Sequence, residues 1–237
     1  MELPRIRTLT LLFDTEIARH EVPLFRGAVI ASMEGDASVL FHNHRDSEGY
    51  RYSYPLIQYK RIHGKAAIVC LNEGADTIGQ FLSQGVREFS LGDRSVSMSP
   101  AMLRPERIIM QTWQDEFHYS LRRWLPLNTE NYRRYQACEG LAERIALLEG
   151  ILRGNILSMA KGLGITVEHE ITVTITSLSE PRLLRNKGIK LMAFDLEFRS
   201  NFSLPDFAGM GKNASIGFGV VTRKRRKRIE TENNNEE

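Results

Sequence analysis

The chain has 237 residues, of which 42% are hydrophobic and 26% charged, with a formal net charge of +3. That is enough for one large domain or two small ones with a real core. Its uninterrupted apolar runs, such as Ala66–Leu71, fall far short of the ~20 residues a membrane-spanning helix needs. The opening Met1-Glu2-Leu3-Pro4-Arg5 lacks a secretory layout, so a cytoplasmic protein with no membrane contact is expected.

In chain order, Leu9, Leu11 and Phe13 alternate on one face of a first strand, Arg5–Phe13. Pro23 suits the first turn of a helix that is expected to run to Met33. Residues 34–50 are polar and read as a loop. Tyr54–Arg61 and Lys65–Leu71 read as strands joined at His63-Gly64. Ala75–Leu82 reads as a short helix, and further strands include Ile108–Trp113. The order β-α-β-β-α-β is that of a ferredoxin-like unit.

A second unit begins near Asn128, where Asn128 or Thr129 caps a helix with Glu130 in its first turn. Leu141, Ile145, Leu148, Leu152, Ile156 and Met159 recur at spacings of three and four, one apolar face of a long helix ending near Gly162 or Gly164. Ile171, Val173 and Ile175 alternate with threonines in a half-buried strand. Asn186-Lys187-Gly188 is a turn signal. Strands follow at Phe194–Phe198 and Ile216–Val221. The expected architecture is α+β, two tandem ferredoxin-like (RRM-like) domains over residues 1–126 and 127–226, then a disordered tail at 227–237. Cys70 and Cys138 have no metal-ligand or redox spacing and are expected as buried small hydrophobes.

Three features carry chemistry. Phe41-His42-Asn43-His44-Arg45 places two histidines, the side chain that titrates near neutrality, in one loop. One can accept a proton while the other donates. Residues 50–61 hold Tyr50, Tyr52, Tyr54 and Tyr59 among Arg51, Lys60 and Arg61, aromatics and cations that suit bases and phosphates, and equally suit an edge strand opened by Pro55. Gly209, Gly211, Gly217 and Gly219 crowd eleven positions before a strand. They would present amides to phosphate or simply make a tight turn. Residues 223–228 add six consecutive cations.

These features, in this order, resemble the CRISPR repeat-processing endoribonucleases of the RAMP superfamily, over nearly the whole chain. The histidine loop, the strand Tyr52-Ser53-Tyr54-Pro55-Leu56-Ile57-Gln58-Tyr59-Lys60 and the closing pattern Gly209-x-Gly211…Gly217-x-Gly219 carry the resemblance. It implies cleavage of repeat RNA by the RNA's own 2′-hydroxyl, without metal or other cofactor, leaving a 2′,3′-cyclic phosphate. His44 and His42 would move protons. Lys60 or Arg45 would steady charge at phosphorus, and Tyr50 or Tyr52 would orient the ribose. Arg51, Gly209, Gly211, Lys212, Gly217, Gly219 and Arg223 would hold RNA, with Arg182, Arg185 and Lys187 as further candidates at a turn. Other CRISPR effector-complex proteins would be further partners. Two other readings stay open: a non-cutting RNA-binding subunit of such a complex, and a metal-dependent phosphodiesterase built on His42, His44, Asp46 and Glu48.

Overall fold

A computed structural model describes residues 3–32, 54–82, 87–186 and 188–224. The first half contains β1 (Arg5–Glu16), a 3-10 turn (Arg19–Glu21), α1 (Val22–Ala31), β2 (Ile57–Ile62), β3 (Lys65–Leu71), α2 (Glu73–Leu82), the hairpin β4 (Arg87–Leu91) and β5 (Arg94–Met98), and β6 (Pro100–Ile109). Its sheet has the antiparallel order β2-β3-β1-β6. His63 and Gly64 both have positive φ, the geometry of a tight two-residue hairpin turn. The proline-opened helix stops at Ala31, short of Met33, where the Ser32 hydroxyl and amide bond the last carbonyls. The β4–β5 hairpin is an insertion into the β-α-β-β-α-β order, among the further strands expected after Leu82.

The second half contains β7 (Thr112–Trp124), α3 (Thr129–Ala137), α4 (Leu141–Gly162), β8 (Val173–Leu178), β9 (Arg182–Asn186), β10 (Ile189–Phe202) and β11 (Val220–Arg223). Its sheet has the order β11-β7-β10-β8, with β9 on the early part of β10. Each half therefore places its last strand beside its first, β6 beside β1 and β11 beside β7, with β3 and β10 on the first strand's other side. Between β10 and β11 there is no helix. Residues 203–219, the glycine-rich segment, stand where the first half has α2.

The expected strand Ile108–Trp113 is in fact a crossing. β6 ends at Ile109 and β7 starts at Thr112 in the other sheet. The Ser203 hydroxyl sews the crossing, donating to the Ile109 carbonyl at 2.7 Å and accepting from the Gln111 amide at 3.1 Å. The apolar run there reflects burial at the join, with Met110 fully buried, and not one strand. The change of sheet thus falls ahead of the expected 126/127 boundary.

Asn128 caps α3, accepting from the Asn131 amide at 2.7 Å. Leu148, Leu152, Ile156 and Met159 of α4 are fully buried against Tyr119, Leu121, Phe194 and Phe198. Each such side chain contributes ~1.5–3 kcal/mol relative to exposure. Leu141, the first residue of the expected stripe, is 65% exposed, because α4 begins there before it meets the sheet. A second core packs α1 and α2 on the first sheet through Phe13, Phe25, Tyr59 and Phe81. Cys70 is buried as expected, whereas Cys138 is only half-buried, since it caps the end of α3 at the surface.

Candidate active site and nucleic-acid interface

His42, His44, Arg45, Tyr50, Arg51 and Tyr52 lie outside the described residues, as do residues 225–228 and Lys187. What the structure fixes is the two roots of the histidine segment, Ser32 at the end of α1 and Tyr54 just before β2.

From Tyr54 onward, one face of the chain is polar and buried. Gln58 and Lys60 have no exposed surface. The Tyr54 hydroxyl donates to the Gly209 carbonyl at 2.8 Å, and the Gly209 amide donates to Gln58 Oε1 at 2.8 Å. Gln58 Nε2 completes the set by donating to the Tyr54 hydroxyl and the Pro55 carbonyl. Lys60 Nζ donates to the Ala214 carbonyl at 2.6 Å. Beside it, the Tyr59 amide bonds the Ser215 carbonyl and Tyr59 forms a parallel bridge with Ile216. Gln58 and Lys60 therefore point away from the helices, onto the glycine-rich segment, which pairs along the free edge of β2. Burial pushes the Lys60 ammonium down to about 7.

Three of the four glycines, Gly209, Gly211 and Gly219, serve close packing, and Gly217 serves its positive φ. A Cβ on Gly209 would lie 2.6 Å from both Lys60 Nζ and the Ala214 oxygen, and one on Gly219 would lie 1.8 Å from the Met210 oxygen. Gly211, Gly217 and Gly219 have positive φ. The amides of Gly209, Met210, Lys212, Ile216 and Gly219 bond within the protein. Only Gly211 among the four glycines is exposed, with Lys212 next to it. These turns also explain why the expected strand Ile216–Val221 is instead Val220–Arg223. Arg223 is exposed, its guanidinium 4.3 Å from the Phe117 ring centroid, and Lys224 pairs with Glu197.

A basic cleft lies near the far end of β2. It has a volume of about 230 Å³ and is lined by Arg19, Arg61, His63, Arg122, Arg123 and Arg182, with Asp195 as its carboxylate. A β-bulge builds it. Phe194 pairs with Trp124 and Leu196 with Leu121, so Arg122 and Arg123 together face Asp195 alone. Arg123 has a φ of 54°, and its amide donates to Asp195 Oδ1 at 2.6 Å. Asp195 also pairs with Arg182. The Arg123 guanidinium stacks 4.2 Å over Phe218, and burial, then Arg19 and Arg182, lower its pKa. Five guanidiniums facing one carboxylate suit a polyanion. Sequence reasoning singled out Arg61 and Arg182 of this group, but not Arg19, Arg122 or Arg123. The available signal was Arg122-Arg123, which breaks the alternation of β7 between Leu121 and Trp124.

Among the described residues no group of three or more His, Cys, Asp or Glu side chains could hold a metal. No helix among the described residues is long and apolar enough to cross a membrane.

The fold and these sites can be set beside known proteins. A crystal structure of Cas6b is similar at 24% identity and a TM-score of 0.83, over 93% of this chain and 100% of that one. A CRISPR RNA processing endoribonuclease Cas6b is similar at 22% identity and a TM-score of 0.72, over the same 93% of this chain and 100% of that one. An uncharacterised protein of Methanocaldococcus jannaschii is 40% identical over 100 residues, 42% of this chain and 67% of its own length. The Cas6b N-terminal domain model matches residues 4–108 and the Cas6b C-terminal domain model residues 111–224. The two matches together cover nearly all of the described chain, and the chain belongs to the Cas6b family.

Proposed function

We propose that this chain is an endoribonuclease that cuts CRISPR repeat RNA without a metal, and that the RNA strand lies along the arginine cleft. The cleft is the observation that carries the reading: five arginines face one carboxylate within a fold of this family. The similarity to a CRISPR RNA processing endoribonuclease supports the substrate class.

The chemistry needs one base and one acid. The 2′-hydroxyl oxygen attacks the adjacent phosphorus as its proton passes to a base. The bond to the 5′-oxygen breaks as that oxygen takes a proton from an acid. The products are a 2′,3′-cyclic phosphate and a 5′-hydroxyl. His42 and His44 are assigned these two transfers, each worth ~10²–10⁴-fold. Tyr50 or Tyr52 is assigned to orient the ribose, Arg45 to steady charge at phosphorus, and Arg51 to hold RNA. Lys212, at the exposed turn of the glycine-rich segment, and Arg223 contact the RNA backbone.

The test is cleavage of labelled repeat RNA in excess chelator by the parent and by the double variant His42→Ala/His44→Ala. Cutting by the parent to a cyclic phosphate end, lost in the variant and lost on a 2′-deoxy substrate, is the expected result. Tight binding without cutting by the parent would make the chain a binding subunit. Cutting that stops only in chelator would make it a metal enzyme.

A further inference from the structure

We infer that Lys60 is a positioning residue, which locks the glycine-rich segment onto β2 and so sets the geometry of the RNA-cutting site. This rests on the proposed endoribonuclease activity. It moves Lys60 away from the role its charge suggests, that of a cation on the scissile phosphate.

Access is the first argument. Lys60 has no exposed surface, and its Nζ lies 2.6 Å from the Ala214 carbonyl. The backbone of Gly209 closes over the pair so tightly that a single added Cβ would collide with both partners. A phosphate would reach Nζ only if this segment lifted off β2.

The second argument is where the anchors fall. Tyr54 and Gln58 hold both main-chain groups of Gly209. Lys60 holds Ala214, and the Tyr59 amide holds Ser215. The anchors therefore stand on either side of a short turn whose exposed residues are Gly211 and Lys212. The same anchors begin at Tyr54, the residue at which the histidine segment rejoins the fold. One strand thus fixes the exposed turn relative to that root. An apolar side chain of similar length would fill the space but would leave the Ala214 carbonyl without its partner.

The experiment compares the full chain with Lys60→Met and Tyr54→Phe. Amide hydrogen exchange is read over residues 207–216 and over α4. Single-turnover cleavage and the affinity for a 2′-deoxy repeat RNA are read alongside. Both variants are expected to exchange at least ~10-fold faster over 207–216 with α4 unchanged. Cleavage at saturating enzyme should fall ~10-fold or more, with RNA affinity within ~3-fold. A substrate whose leaving 5′-oxygen is replaced by sulfur should be cut with the same relative loss, because a thiolate leaves without an acid. Three results would overturn the inference: unchanged exchange over 207–216 in Lys60→Met, unchanged cleavage, or full rescue of Lys60→Met by the sulfur substrate, which would make Lys60 a direct acid. If Lys60→Met fails to fold, Tyr54→Phe removes one hydroxyl and decides by the same readings. If the parent does not cut at all, the functional reading fails while the exchange result still decides whether the lock exists.

Discussion

Lys60 Nζ donates to the Ala214 carbonyl across 2.6 Å in a place where the lysine has no exposed surface. This geometry gives stability a pH dependence. Unfolded, Lys60 keeps its proton up to its ordinary 10.5, whereas burial lets the folded chain release it at about 7. Between those values the unfolded state binds the extra proton, so Lys60 makes stability rise with pH. Below about 7 both states are charged and the slope vanishes. Denaturant unfolding of the parent and of Lys60→Met at pH 6 and pH 9 isolates the effect. The difference between the two proteins should shift in the parent's favour by about 2–3 kcal/mol over that range. A constant difference would mean that the ammonium is as well solvated as in the unfolded chain.

Alanine should distinguish Gly219 from Gly154. Gly219 has a φ of 58°, and a Cβ there would lie 1.8 Å from the Met210 oxygen, a backbone atom that cannot swing aside. Gly219→Ala should destabilise by roughly 3 kcal/mol or more, lowering Tm by roughly 6–12 °C. Gly154 sits mid-helix in α4 with nothing within 4 Å of an added Cβ. Gly154→Ala should stabilise by about 0.5–1 kcal/mol. Thermal melts of the two variants should therefore move in opposite directions.

Tyr59 carries a hydroxyl that the fold does not use. Its ring packs edge-on to Phe25 with centroids 5.7 Å apart, and the oxygen is buried with no hydrogen-bond partner among the described residues. Burial raises the pKa of the phenol accordingly. Tyr59→Phe keeps the ring contact and removes the orphan group, so it should stabilise by about 1 kcal/mol in denaturant unfolding. A loss of stability would mean that the hydroxyl has a partner in solution.

Much of the fold was legible because periodicity reports burial. The α4 stripe from Leu148 to Met159, the alternation of β1 and the His63-Gly64 turn are all local patterns, and each lies where its pattern placed it, whereas Leu141 at the start of the stripe is exposed. The crossing at Met110–Gln111 was not legible. Its apolar residues are buried by two sheets at once, and a linear pattern cannot distinguish that from a strand. The glycine-rich segment is legible as a site of close approach or a tight turn, but the partner it approaches is not. The atoms that approach most closely are Lys60 Nζ and the Ala214 and Met210 carbonyls, supplied from far away in sequence or across the turn. For the same reason Lys60 read as a free cation, since no local pattern shows that Ala214 will cover it. The arginine cleft gathers Arg19, Arg61, Arg122 and Arg182 from four separate elements, so the local patterns that mark Arg61 and Arg182 do not show that these side chains meet.

The cleft should govern how RNA binding responds to salt. Arg19 and Arg122 are exposed on its rim, and no hydrogen bond or ion pair of their side chains supports the fold among the described residues. Arg61 and Arg123 are poorer probes, because one bonds the Ile17 carbonyl and the other stacks on Phe218. Each phosphate contact on a single strand contributes about 0.7 to the slope of log affinity against log salt. The double variant Arg19→Ala/Arg122→Ala should therefore lose about 1.4 of that slope, with affinity falling ~10-fold or more at low salt. Arg133→Ala, on the exposed face of α3, is the control and should change neither. Titrations of 2′-deoxy repeat RNA over a range of salt concentrations measure this without cleavage. If the cleft holds RNA away from the scissile bond, the double variant should still cut at the parent rate once enzyme saturates the RNA. A slower cut at saturation would instead put the cleft arginines next to the phosphate being broken. An unchanged salt slope would remove the RNA from the cleft altogether.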